Sequence, residues 1–91
     1  MRSNKTLIRI LTENMHSPDT LKIVEAQFEA FTVYKAGGSW KGKHEDSLVI
    51  EILAENDLDI GRARRVAAAI KSHFEQEAVL IEYIAVQSEL I

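Results

Sequence analysis

Apolar spacing along this chain switches four times between a two-residue and a three-to-four-residue period, and the order of those switches restricts the fold more than any single motif. Residues 6–12, Thr-Leu-Ile-Arg-Ile-Leu-Thr, are β-branched and aliphatic and stop at Glu13-Asn14, which predicts a first strand. Ser17-Pro18-Asp19 supplies a hydroxyl cap, a proline at the first helical position and an acid in the first turn, so a helix is expected from Pro18 to about Ala30. Leu21, Val24, Phe28 and Phe31 form its apolar stripe. Phe31 to Ala36 alternates as a second strand. Gly37-Gly38 then releases the chain into a polar loop that carries Trp40 and ends near Asp46, and Leu48 to Leu53 is a third strand. Asp59 is the expected cap of a second helix, with Leu58 and Ala63 as a weak hydrophobic staple and Ile60, Ala63, Ala67, Ile70 and Phe74 as its buried stripe. Ala78 to Val86 closes the chain as a fourth strand.

The order β-α-β-β-α-β is that of a ferredoxin-like α+β fold: a four-stranded antiparallel sheet, spatially four, one, three, two, with two helices on one face. A dimeric α+β barrel built on the same topology is the variant. At 91 residues there is room for one hydrophobic core, so residues 1–91 are read as a single domain. A formal net charge of -3 argues against a general nucleic-acid binder, which concentrates cations to displace counterions from phosphates. The absence of cysteine excludes disulfides, thiolate metal sites and thiol nucleophiles. The basic start Met1 to Lys5 is followed by an apolar run broken at Arg9, too short for a signal peptide, and no stretch approaches the ~20 apolar residues of a membrane span; a cytoplasmic protein is expected.

Two helices cover only one side of such a sheet, and residues on the other side should be polar in a monomer. With Ile8, Ile10, Leu48, Ile50, Ile52, Val79, Ile81, Tyr83 and Ala85 facing the helices, the open face carries Leu7, Arg9, Leu11, Val49, Glu51, Leu53, Leu80, Glu82, Ile84 and Val86. Arg9 falls between Glu51 and Glu82, and apolar residues surround the three charges. A solvated ion pair on an exposed sheet is one reading. A homodimer through Leu7, Arg9, Leu11, Val49, Glu51, Leu53, Leu80, Glu82 and Ile84 is the sharper one, since large apolar patches mark interfaces.

Polar residues gather at one end of this topology: Glu13, Asn14 and His16 after the first strand, Ser39 to Asp46 between the second and third, and His73, Gln76 and Glu77 before the fourth. Trp40, Lys41, His44, Glu45, Gln76 and Glu77 are therefore the candidate ligand-binding set. Trp40 is either an aromatic anchor for a ring or partner, or a lid folded on the end of the core. Glu13, His16, His44 and Glu45 are the candidate acid/base residues if the protein is an enzyme, which is the less favoured reading. The histidines match no metal-ligand spacing, so no metal and no cofactor are expected. Arg2 stands where a tautomerase needs proline, paired cysteines of a metallochaperone are missing, and Thr6 to Thr12 and Leu48 to Leu53 lack the stacking aromatics of an RNA-recognition domain. Gly37-Gly38 and Gly42 lack the context of a phosphate-binding loop. The Arg62, Arg64, Arg65 group is the one feature suited to phosphates, and Glu55, Asp57 and Asp59 stand near enough to pair with it.

Gly38-Ser39-Trp40-Lys41-Gly42, Glu45-Asp46-Ser47 and Phe74-Glu75-Gln76-Glu77-Ala78-Val79-Leu80 resemble the hairpin and fourth-strand start of small, functionally uncharacterised bacterial and phage-borne proteins. The resemblance places Trp40, Glu45, Ser47, Gln76 and Glu77 on its pattern, implies a phage or mobile-element setting, and implies no activity; Ala78 stands where a serine or small residue is usual, which weakens any role for a hydroxyl there. The expectation is a small binding or accessory protein, dimeric through the open face, that holds a small molecule or a protein segment near Trp40. The alternatives are a small acid/base enzyme at the same end and a nucleic-acid-associated regulator acting through Arg62 to Arg65.

Overall fold

The computed structural model describes residues 2–13 and 17–91. Asn14 and His16, assigned above to the first loop, lie outside the described residues, as does the side chain of Ser17. The elements are β1 (Ser3–Glu13), α1 (Ser17–Glu25), β2 (Thr32–Trp40), β3 (Lys43–Ala54), α2 (Asp57–His73) and β4 (Leu80–Ser88). The strands form one antiparallel sheet in the order β2-β3-β1-β4. This is the expected ferredoxin-like arrangement.

Its core follows from the register. Val33, Ile50, Ile10 and Ile81 form one row across all four strands on the helix side, and Ile52, Ile8 and Tyr83 form the next. Ile8, Ile10, Ile50 and Ile52 are fully buried beneath Val24 of α1 and Ala63, Val66, Ala67 and Ile70 of α2. β-Branched residues suit both demands, since they favour the extended backbone and fill the pleat. Val66 joins the stripe expected of α2. Tyr83 and Ala85 lie on the helix side by register yet are exposed, Tyr83 by 47%, because the helices stop short of the outer half of β4.

Several element boundaries differ from expectation, β1 among them, which runs from Ser3 to Glu13. Helix α1 ends at Glu25, five residues early: the amides of Gln27 and Phe28 both donate to the Val24 carbonyl, at 2.9 and 3.0 Å, a tightening that closes the helix. A helix reaching Ala30 would leave one residue to carry the chain to Thr32 on the edge strand. Phe28 and Phe31 therefore pack on the core from the connection. The fourth strand starts at Leu80 rather than Ala78 and runs to Ser88.

The cap of α2 is Asn56, not Asp59. Asn56 Oδ1 accepts from the Asp59 amide at 3.2 Å, while the Asp59 carboxylate accepts from the Glu55 amide at 2.8 Å, so the two side chains satisfy amides reciprocally in the manner of a capping box. Leu58, 72% exposed, staples nothing. Asn56→Ala should cost about 1 kcal/mol and lower Tm by roughly 4–8 °C in a thermal melt; an unchanged Tm would show that Asp59 alone starts the helix.

The largest correction concerns the Trp40 loop. β2 and β3 continue through Gly37 and Gly38 to the pair Trp40–Lys43, joined by Lys41 and Gly42 alone. Both turn residues have positive φ, 50° and 79°, as a type I′ hairpin turn requires. Because β1 ends at Glu13, opposite Ser47, residues 37–40 and 43–46 pair only with each other and project as a two-stranded ribbon beyond the sheet. The molecule is accordingly elongated, 43 × 27 × 19 Å. Among the described residues, no helix is long and apolar enough to cross a membrane.

Candidate functional site

Strand direction places the end of β1, the ribbon and the α2–β4 junction at one end of the sheet. The junction is tied to β1 by Gln76, a side chain only 8% exposed. Its Oε1 accepts from the Thr12 hydroxyl at 2.9 Å and from the Glu13 amide at 3.5 Å. The Gln76 amide is brought there by Glu75, whose φ of 52° turns the chain sharply after α2, and by the bond from the Gln76 amide to the Lys71 carbonyl at 2.9 Å. Gln76 Nε2 and the hydroxyl of Thr20, in the first turns of α1, are buried without a hydrogen-bond partner among the described residues. An unmade bond of this kind costs about 1–3 kcal/mol. The sequence places Gln76 among the candidate ligand contacts and leaves Thr12 and Thr20 unmarked; a polar residue on the buried side of a strand or helix period was the available signal.

The remaining candidates lie on the ribbon and alternate across it. Gly37, Ser39, His44 and Asp46 fall on the helix side; Trp40, Gly38, Lys43 and Glu45 fall on the open-face side. His44 Nε2 lies 3.1 Å from Asp46 Oδ1, and both are exposed. His44 and its chain neighbour Glu45 thus point to opposite sides. Trp40 is 62% exposed, with Lys41 Nζ 5.6 Å from its ring centroid. Four residues of ribbon carry Trp40 roughly 13 Å beyond the level of Glu13, so the tip stands well above Gln76 and Glu77. Glu13 and Glu77 are exposed. Among the described residues no group of three His, Asp or Glu could hold a metal ion.

On the open face the charged row is as the sequence places it. Arg9 pairs by register with Glu51 and Glu82; its Nε donates to Glu51 at 3.1 Å and its Nη1 lies 3.8 Å from Glu82. The hydrogen bond that Arg9 donates to Glu51, helped by the proximity of Tyr34, Glu51 and Glu82, holds the Arg9 pKa above its usual value against the opposing effect of desolvation. The row Thr32–Glu51–Arg9–Glu82 separates two apolar rows, Tyr34–Val49–Leu11–Leu80 and Leu53–Leu7–Ile84. This face is less bare than expected. Val49 is only 3% exposed, since Tyr34 stands across from it and reaches Glu51 with its hydroxyl at 3.2 Å, while Leu80 and Leu53 remain 56% and 40% exposed.

The arginines of α2 divide. Arg62 lies 3.3 Å from Asp59 across a single helical turn, one of the pairings expected, while Arg64 and Arg65 stand exposed on the helix surface.

No family model and no curated protein matches the chain. Solved structures of the same fold do. CPII, a nitrogen regulatory PII-like protein from Thiomonas intermedia K12 whose structure holds ADP, AMP and bicarbonate, superposes with a TM-score of 0.69 at 10% identity over 100% of this chain and 99% of that one. A DUF3240 family protein from Shewanella baltica OS155 gives 0.70 at 11% identity, with 98% of each chain covered. A phage SAM lyase in its apo state gives 0.60 at 16% identity over 97% of this chain and 93% of that one. At such identities the likeness is one of fold.

Proposed function

We propose that this chain is a small binding or accessory protein, a homodimer through its open sheet face, that holds a small ligand at the ribbon end. The observation that carries the ligand reading is the pair of buried polar groups, Gln76 Nε2 and the Thr20 hydroxyl, that have no partner among the described residues, at the end where the loops converge. Both can donate, so the fitting ligand offers acceptor oxygens. That a protein of this fold binds ADP, AMP and bicarbonate supports the choice of probes. The dimer reading rests on the apolar rows flanking Arg9, which leave Leu80 and Leu53 in water.

Titration of the protein with ADP, AMP and sodium bicarbonate, read by thermal melting, should raise Tm progressively with the logarithm of concentration for at least one of them; a ligand at a hundredfold excess over its Kd adds about 2.7 kcal/mol of stability. A Tm that stays flat in all three titrations would remove this reading of the ribbon end.

A further inference from the structure

At the end of the sheet away from the ribbon, helix α1 stops at Glu25 and residues 26–30 lead to the edge strand β2, while α2 begins at Asp57, shortly after β3. The connection and the start of α2 do not close on each other. They leave a groove of about 510 Å³, within the ~300–1,000 Å³ of small-molecule sites, with Gln27, Phe28, Glu29, Glu55, Asp59 and Arg62 on its walls.

Arg62 is held ready on one wall. Asp59 is only 8% exposed, and its Oδ2 accepts from the Glu55 amide at 2.8 Å, which fixes the carboxylate. Its other oxygen, Oδ1, accepts from Arg62 Nη1 at 3.3 Å. That bond uses one of the five guanidinium N–H groups and orients the others, and a planar fork of free donors fits a carboxylate through two parallel bonds.

The other wall supplies the complementary charge. Glu55 pairs with Lys5, and Asp59 with Arg62. Glu29 is exposed and has no cationic partner among the described residues, so the groove keeps one uncompensated negative charge. A phosphate dianion drawn to Arg62 would be repelled by Glu29, whereas a ligand carrying both a carboxylate and an ammonium satisfies the two poles together. Ala26, Phe28 and Ala30, from the same connection as Glu29, add apolar surface. We propose that this groove binds a free α-amino acid with an apolar side chain, its carboxylate on Arg62, its ammonium on Glu29 and its side chain against Phe28. The site is separate from the ribbon end and does not rest on the reading given for it.

Calorimetric titration of the protein with L-leucine tests this site. Saturable binding of one L-leucine per chain is the expected result. N-acetyl-L-leucine, which lacks the ammonium, and L-leucinamide, which lacks the carboxylate, should each bind more weakly by about tenfold or more. Arg62→Gln and Glu29→Gln should each raise the L-leucine Kd by about tenfold or more, but Glu29→Gln should not weaken N-acetyl-L-leucine, which has no ammonium to lose. Both replaced side chains reach solvent, so neither change removes a core contact. Trp40→Ala, at the opposite end of the sheet, should leave the L-leucine Kd unchanged. Absence of binding heat with L-leucine, L-valine and L-phenylalanine alike would overturn the proposal, as would an L-leucine Kd that both Arg62→Gln and Glu29→Gln leave unaltered.

Discussion

Replacing Ile50 with alanine should lower Tm by about 15–20 °C, the largest effect expected of any conservative truncation in this protein. Ile50 is fully buried at the centre of the row Val33–Ile50–Ile10–Ile81, on one of the two interior strands. Its truncation removes apolar contacts with strands on both sides and with the helices above, and the sheet around it is pinned by hydrogen bonds and cannot collapse into the gap. Large-to-small changes at such sites cost about 2–5 kcal/mol, against a total stability of about 5–15 kcal/mol for a domain of ordinary size. Each kcal/mol moves Tm by about 4–8 °C at this chain length. A thermal melt showing a shift under about 5 °C would mean that the helices do not bear on this row.

Gln76→Leu alone should change stability by less than about 1 kcal/mol, and adding Thr12→Val should raise it by about 1–3 kcal/mol. The single change removes the buried unpaired Nε2 but leaves the Thr12 hydroxyl buried at 4% exposure and deprived of its acceptor, so one unsatisfied buried group takes the place of another. With both partners apolar, no such group remains, and the pair should be strongly non-additive. The Glu13 amide, which also donates to Gln76, is at an exposed strand end where water can replace the bond. The check is a double-mutant cycle by urea unfolding; costs that simply add would show that the Thr12–Gln76 bond contributes nothing to stability.

These two positions differ in how openly the sequence declares them. Ile50 lies in an apolar run broken only at Glu51, whose charge marks the opposite face as the outer one, so its burial is legible locally. Gln76 follows a helix in a run of charged and polar residues, Glu75-Gln76-Glu77, where no period marks it as buried. Its position depends on the sharp turn at Glu75 and on Thr12, 64 residues earlier in the chain. The ribbon was hidden for a related reason. Gly37-Gly38 reads locally as a break, yet both pair in the ladder, because a two-residue turn with positive φ at Lys41 and Gly42 holds the strands in register beyond the rest of the sheet. The cap of α2 was misplaced by three residues, since Asn56 and Asp59 are both competent acceptors and only the helix axis decides which one leads.

Element order, strand order, the inward rows of the sheet and the Arg9–Glu51–Glu82 alignment were determined by the sequence alone, because each follows from a period and from the handedness of the crossovers. The length of the ribbon, the side of it that Trp40 occupies, the shielding of Val49 by Tyr34 and the burial of Gln76 were decided by tertiary structure. Each of these depends on which residues meet across strands or across elements distant in the chain. Local periodicity encodes which face of an element turns inward, and it carries no record of what that face or its opposite will meet.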